Sequence, residues 1–257
     1  MTDLPSVQIE GMALACVNRW QLLDHLFGQL QRGHGGWLVT ANLDFLRRYA
    51  IDDGMRQLYD AADLRVADGM PLVWASRLQG SPLPERIAGS TLASLIAERA
   101  AKEGRCIYLL GGAPGAAQGA CSKLRQQWPA IDVSGVCSPL LDSPPTDEQV
   151  AAAQRELAAV RPDIVLIGLG SPKQEQLAIR LRDALPASWF VGVGVTFSFL
   201  AGELRRAPPW LRRVGLEWTH RLAQEPRRLA KRYLIDDLPF AFRLLARATL
   251  RRGSDQR

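Results

Sequence analysis

The sequence predicts an α/β protein: a Rossmann-like, mostly parallel sheet with helices on both faces, followed by a helical C-terminal appendage. Three observations predict it. Short, almost wholly apolar runs recur along the first 200 residues, as strands covered on both faces require. Segments with helical spacing of apolar residues separate them. Beyond Arg205 the pattern changes to arginine-rich helix interrupted by proline.

The elements follow in order. Trp37–Thr40 (WLVT) is a short strand, and Asp44–Tyr49 and Gly54–Ala62 are helical. Leu64–Ala67 is a strand stopped by Asp68-Gly69. Thr91–Lys102 places Leu92, Leu95 and Ile96 on one side of a helix. Cys106–Leu110 (CIYLL) is a buried strand closed by Gly111-Gly112, and Pro114–Trp128 is a helix with proline in its first turn. Ile131–Val136 is a strand. Thr146–Val160 is a helix capped by Thr146, with Asp147 and Glu148 in its first turn. Ile164–Leu169 (IVLIGL) carries the strongest strand signal, Lys173–Leu185 is helical, and Trp189–Val195 (WFVGVGV) is a further strand.

Composition bounds the function. The 257 residues fit one large domain, or one with a small addition; we divide them into a catalytic body, 1–204, and an appendage, 205–257. No run approaches the roughly 18 apolar residues of a membrane span. The first residues (MTDLPSVQIEGM) lack the basic and apolar regions of a signal peptide, so a cytoplasmic protein is expected. Cys16, Cys106, Cys121 and Cys137 show no C-x-x-C spacing and are expected as buried structural thiols. With no Cys or His cluster, no zinc site is expected.

Charge is unevenly spread. Residues 205–257 hold 14 Lys/Arg against 5 Asp/Glu, a net of +9, which leaves −3 for the body and +6 in total. Trp210, Leu211, Leu216, Trp218, Leu222, Tyr233, Leu234, Phe240, Phe242, Leu244 and Leu245 interleave with these cations. Basic helices bearing Trp, Phe and Leu lie in membrane interfaces, where each cation adds about 1 kcal/mol. An anionic membrane surface is therefore the expected partner, ahead of a helix merely packed on the body. Nucleic acid is not expected, because no recognition motif is present. The apolar surface of the appendage also gives a reason for self-association into a homo-oligomer in solution.

The chemistry should lie at the carboxyl ends of the strands, where ligands bind in such sheets. Gly111-Gly112-Ala113-Pro114-Gly115 is either a phosphate cradle or a tight turn. It is not G-x-G-x-x-G, and no acidic residue ends a second strand at the right distance, so NAD is not supported and no cofactor is expected. Gly168–Glu175 (GLGSPKQE) offers amides, Lys173 and Gln174 to phosphate or hydroxyl oxygens. Gly192 and Gly194 allow a base or sugar close to the backbone, or serve packing alone. Thr40 and Asn42 end another strand, where Asn42 could also cap the next helix. Asp68, at a strand end beside Gly69, is placed as a general base or as a plain turn residue. Together these loops suit a phosphate-bearing sugar or nucleotide. The absence of Asp-x-Asp points to cations and helix ends, not a metal, as the partners of its charge.

The ordered set Thr40-Ala41-Asn42, Val66-Ala67-Asp68-Gly69, Glu85-Arg86-Ile87-Ala88-Gly89, Leu110-Gly111-Gly112, GLGSPKQE, Arg206-Ala207-Pro208-Pro209-Trp210, Gly215-Leu216-Glu217-Trp218 and Glu225-Pro226-Arg227-Arg228 resembles the WecG/TagA/CpsF glycosyltransferases over roughly residues 7–235. The resemblance implies an inverting, metal-independent transferase. It would move N-acetylmannosamine or a related hexose from a UDP-sugar to a polyprenyl-diphosphate-linked saccharide for cell-surface polysaccharide, working as a peripheral protein on the inner face of the plasma membrane. By the same resemblance Asp68 is the general base, with Thr40 and Asn42 beside it. Arg86 and Gln174 line the sugar site. The Gly111-Gly112 and Gly192–Gly194 loops lie near the nucleotide, and Arg221 and Arg228 stabilise the departing diphosphate. One departure stands out: Phe197-Ser198 replaces the Phe-Asp of many members. Two alternatives remain on the residues alone, a soluble nucleotide-sugar-modifying enzyme and a non-catalytic scaffold at the membrane surface.

Overall fold

The computed structural model describes residues 4–254. Six parallel strands form the central sheet: β3 (Gly36–Ala41), β4 (Leu64–Ala67), β5 (Cys106–Gly111), β6 (Asp132–Cys137), β7 (Ile164–Gly168) and β8 (Trp189–Gly192), in the order β4-β3-β8-β7-β5-β6. Every residue of β3, β7 and β8 is buried, which is why these segments read as unbroken apolar runs. An antiparallel hairpin, β1 (Ser6–Ile9) and β2 (Met12–Ala15), lies beside β4, and Arg65 donates to the Ala13 carbonyl at 3.0 Å. Its two-residue turn holds both Glu10 (φ 47°) and Gly11 (φ 87°) in the left-handed region, as the tightest hairpin turns demand.

Helices cover both faces. One face carries α2 (Leu43–Ile51), α3 (Asp53–Asp60), α4 (Met70–Leu78), α7 (Asp147–Val160), α8 (Lys173–Arg182) and the last helix, α13 (Leu238–Ser254). The other carries α1 (Arg19–Gln31), α5 (Gly89–Glu103), α6 (Ala116–Gln127) and α9 (Thr196–Ala201). The expected α/β architecture is therefore present, with a helical segment following it. The predicted strands and helices are found within a few residues, and Thr146 caps α7 through a capping box with Gln149.

Several expectations need correcting. Trp189–Val195 is too long a strand: pairing stops at Gly192, and Gly194 turns the chain away at φ 56°. Pro114 precedes α6 and is not part of it, because Gly115, at φ 82°, starts the helix. Only Cys121 is buried; Cys16, Cys106 and Cys137 are half-buried free thiols. The hairpin and α1 were not anticipated, although Asn18 and Gln21 form a capping box at the start of α1.

After α9 the chain forms α10 (Pro209–Arg213), α11 (Glu217–Gln224) and α12 (Pro226–Ala230), then a π-helical stretch, Lys231–Asp237, that runs into α13. Pro208-Pro209 and Pro226 do open new helices, but Pro239 breaks nothing, since it lies in the first turn of α13. Nor do all the apolar residues of this segment face outward. Phe240, Leu244 and Ala248 fill the core against α4, and Leu229 is fully buried. Even so, of the twelve large apolar side chains left exposed among the described residues, eight lie beyond Arg205, including Trp210, Ile235 and Phe242. Among the described residues no helix is long and apolar enough to cross a membrane.

A buried charge cluster holds the π-helical stretch to the body. Asp44, 1% exposed, faces Arg47 and Arg48 at 2.8 Å and Arg232 at 3.5 Å. Asp237 shares Arg47 and Arg232, and burial, then the neighbouring Asp44 charge, pushes its carboxyl up to about 6. Removing one member of such a cluster strands the others. Asp44→Ala should cost about 3 kcal/mol of stability, read as a lowered urea midpoint with an unchanged slope.

Candidate active site

The strand ends converge on one rim of the sheet. Asp68 follows β4 directly and donates its N–H to the Ala41 carbonyl at 2.7 Å, which keeps it beside the end of β3. Its Oδ2 accepts from the Gly89 N–H at 3.1 Å, at the start of α5. Burial pushes the carboxyl above its ordinary value. Arg86 and the Gly89 N–H oppose that rise, Glu217 adds to it and Arg221 opposes it. A carboxylate raised by desolvation yet kept ionisable by neighbouring cations is a stronger base than an exposed one.

Other predicted residues gather around it. The Thr40 hydroxyl donates to the Gly192 carbonyl at 3.1 Å. Gln174 is buried, accepts from the Gly194 N–H at 3.1 Å and donates to Glu175 Oε1 at 2.7 Å. A Cβ on Gly192 would lie 2.6 Å from the Gln174 amide nitrogen, so glycine is required there for a close approach. Asn42 behaves differently. Its Oδ1 accepts from the N–H groups of Asp44 and Phe45, capping α2, and from Arg232 at 3.3 Å. Its oxygen is therefore engaged in structure, although its backbone lies next to Gly69.

Beyond these residues, over the ends of β5, β7 and β8, opens a cavity of about 590 Å³. Gly112, Gly168, Gly170, Lys173, Ser198 and Arg228 are among its lining residues. Gly111 and Gly112 both have φ above 90°, a conformation side chains resist, and Gly170 has φ 75°. Successive glycines at strand ends leave backbone amides open to an anion. Arg228 reaches this cavity while paired with Glu225 at 2.8 and 2.5 Å. The two arginines expected at the diphosphate are thus divided: Arg228 lines the cavity, while Arg221 acts on the charge of Asp68. Among the described residues no three His, Cys, Asp or Glu side chains come together as a metal cage.

Residues 7–254 match the model of the glycosyl transferase WecG/TagA/CpsF family, nearly the whole chain. The chain belongs to this family. It is a family of transferases, which counts against the alternative of a soluble nucleotide-sugar-modifying enzyme. Ser198 of this WecG/TagA/CpsF-family glycosyltransferase sits in the lining of the glycine-rich cavity, so the departure from Phe-Asp falls at that cavity and not at Asp68.

Two further carboxylates, which no local sequence signal singles out, lie among these residues. Glu217, from α11, pairs with Arg86 at 2.9 Å and lies 4.0 Å from Arg206 Nε. Arg206 in turn donates to the Thr91 hydroxyl at 2.7 Å. Arg206 and Glu217 thereby bring the segment that carries α10 and α11 against the residues around Asp68. Its GLEW motif was visible in the sequence, but nothing local shows what Glu217 pairs with. The second group is Glu175, next to Gln174. It is 1% exposed, and burial pushes its carboxyl up to about 7 against the hydrogen bonds from Gln174 and Ser171. The folded protein therefore holds a proton that the unfolded chain releases in the usual carboxylate range. Stability tied to this group is full at acidic pH and lost as pH rises toward and past 7. Glu175→Gln should flatten that slope, removing roughly 3 kcal/mol of difference between pH 4 and pH 8, as measured by chemical denaturation at both values.

Proposed function

We propose that this transferase moves a hexose, N-acetylmannosamine or a related sugar, from a UDP-sugar to a polyprenyl-diphosphate-linked saccharide. The reaction inverts the anomeric centre, needs no metal or cofactor, and takes place at the cytoplasmic membrane surface during synthesis of a cell-surface polysaccharide such as an exopolysaccharide. The observation that carries this reading is the position of Asp68. It stands on the rim with Thr40, Gln174 and Arg86 about it, and a glycine-lined cavity large enough for a nucleotide lies over the neighbouring strands.

In the proposed step an acceptor hydroxyl oxygen attacks the anomeric carbon of the donor. The bond from that carbon to the diphosphate oxygen breaks, and its electron pair leaves with UDP. Asp68 takes the hydroxyl proton. Amides of the Gly111-Gly112 and Gly168–Gly170 loops, Lys173, Arg221 and Arg228 are the candidates to stabilise the charge that develops on the diphosphate. Direct displacement from one side inverts the sugar. Membrane attachment is supported by the exposed Trp210, Val214, Ile235 and Phe242 among the cations of residues 205–257, the segment we treat as an appendage to the body.

The direct experiment is UDP release from a panel of UDP-hexoses with a synthetic polyprenyl-diphosphate sugar as acceptor, in EDTA. Acceptor-dependent release with one donor is expected; release that needs added divalent metal overturns the metal-independent step. Asp68→Asn should lose about 10²–10⁴-fold in turnover and keep UDP affinity within about twofold, measured by calorimetry. Turnover near wild type in that variant removes Asp68 from its role.

A further inference from the structure

A second cavity lies apart from the glycine-lined one. It has a volume of about 410 Å³ and opens on the β4 side of Asp68, between Met70 of α4, the segment from Glu85 to Thr91, and α10. The glycine-lined cavity lies over β5, β7 and β8. Ile87, in the lining of the second cavity, donates its N–H at 2.8 Å to the carbonyl of Ala67, the residue before Asp68. Ala88 lines the second cavity, and the next residue, Gly89, hydrogen-bonds Asp68.

Its lining is cationic. Four arginines, Arg19, Arg86, Arg212 and Arg213, face one carboxylate, Glu85. That carboxylate is committed, since both its oxygens accept from Arg19 Nε at 3.0 Å. Arg86 is paired with Glu217, from outside the lining. No acidic partner remains for the other two: among the described residues neither Arg212 nor Arg213 makes an ion pair, and the enclosed Arg212 Nε has no hydrogen-bond partner. Arg206, whose charge is felt by Arg212 and Arg86, adds to the crowding of like charge. Guanidiniums drawn together and partly desolvated without counter-charge are costly unless an anion completes them, and their planar forks match phosphate oxygens in pairs. A pocket of this volume has room for a diphosphate and part of a sugar. The rim supplies a second property. Trp210, Val214 and Leu216, on the same α10–α11 segment, are 64%, 51% and 40% exposed.

We propose that this cavity binds the diphosphate head of an amphiphilic acceptor, with Arg212 and Arg213 gripping the phosphates and Trp210, Val214 and Leu216 taking the first part of the apolar chain. The placement of the acceptor rests on the reading of Asp68 as the base. With the head held there, a sugar attached to the diphosphate extends past Arg86 toward Asp68, and the donor approaches from the glycine-lined side. The two anionic substrates thus occupy separate cation sets and do not compete.

The test is binding, with the full chain and three probes: geranyl diphosphate, UDP, and vesicles containing phosphatidylglycerol. The variant is R212A/R213A. R213Q alone, at an exposed position, serves as the second variant should the double one fail to fold, and Lys123→Ala on α6 controls for the loss of a positive charge. The expected result is geranyl diphosphate affinity lowered at least about tenfold in the double variant, at least about threefold in R213Q, and unchanged in the control. UDP affinity stays within about twofold throughout. An equal loss for UDP assigns the cavity to the donor and overturns the proposal. So does a loss confined to the vesicles, which gives the arginines to bilayer headgroups, and so does wild-type protein that binds geranyl diphosphate no better than geraniol. Turnover reports separately. A chain that grips geranyl diphosphate through Arg212 and Arg213 yet transfers no hexose keeps the anion site and loses the base assignment, whereas a chain that transfers hexose without gripping it does the reverse.

Discussion

The ion pair between Arg86 and Glu217 ties α11 to the connection between α4 and α5 at the place where the chemistry is proposed. The two residues are 131 positions apart in the chain, and Glu217 is the first residue of α11. Each also acts on Asp68, in opposite senses: the guanidinium favours the ionised carboxylate and the glutamate disfavours it. The pair therefore does more than fasten a lid. Without Glu217, Arg86 would turn its full charge on Asp68 and make it a weaker base. Without Arg86, a glutamate and an aspartate would stand near each other in a partly desolvated site with nothing between them. The charge state of Asp68 thus depends on α11 being seated.

Much of the fold was legible because parallel strands buried on both faces are nearly all apolar. IVLIG and WFVG cannot be placed elsewhere at so small a cost. Where this signal ran on without pairing, as at Val193–Val195, the predicted strand ran on too, since apolar character marks burial and not hydrogen bonding. The hairpin was missed because its strands have four residues each and its turn, Glu10-Gly11, spends a non-glycine residue in the left-handed region. The strand order was not legible at all. The chain passes from β4 at one edge across three positions to β5, a choice made by long-range packing that no window of sequence contains.

The candidate site divides along the same line. Its motifs were visible because strand ends in this architecture need glycine, asparagine and aspartate for local reasons. That same fact left Asn42 ambiguous, and the structure engages its oxygen in capping α2. Glu175 shows the opposite failure. An acidic residue in the first turn of a helix reads as a favourable partner of the helix dipole, yet this one is shut away from water beside Gln174. Arg212 and Arg213 looked like two more cations in a basic tail. Their distinction is that, among the described residues, neither makes an ion pair although Glu85 lines the same cavity, which only the folded arrangement reveals.

The segment carrying α10 and α11 is fixed at both ends, by Ala207 on one side and Leu229 on the other, each buried. It is a strap and not a tail. Its return to the site after an excursion is the closure of a loop of roughly 20 residues, whose entropic cost grows only slowly with length. The local concentration of Glu217 at Arg86 is consequently set by the chain itself, at about the millimolar level of a short tether, and not by any surface it visits. A contact that takes hold of Trp210 loads a cord already tied at two points, and the displacement it produces is bounded by the slack between them.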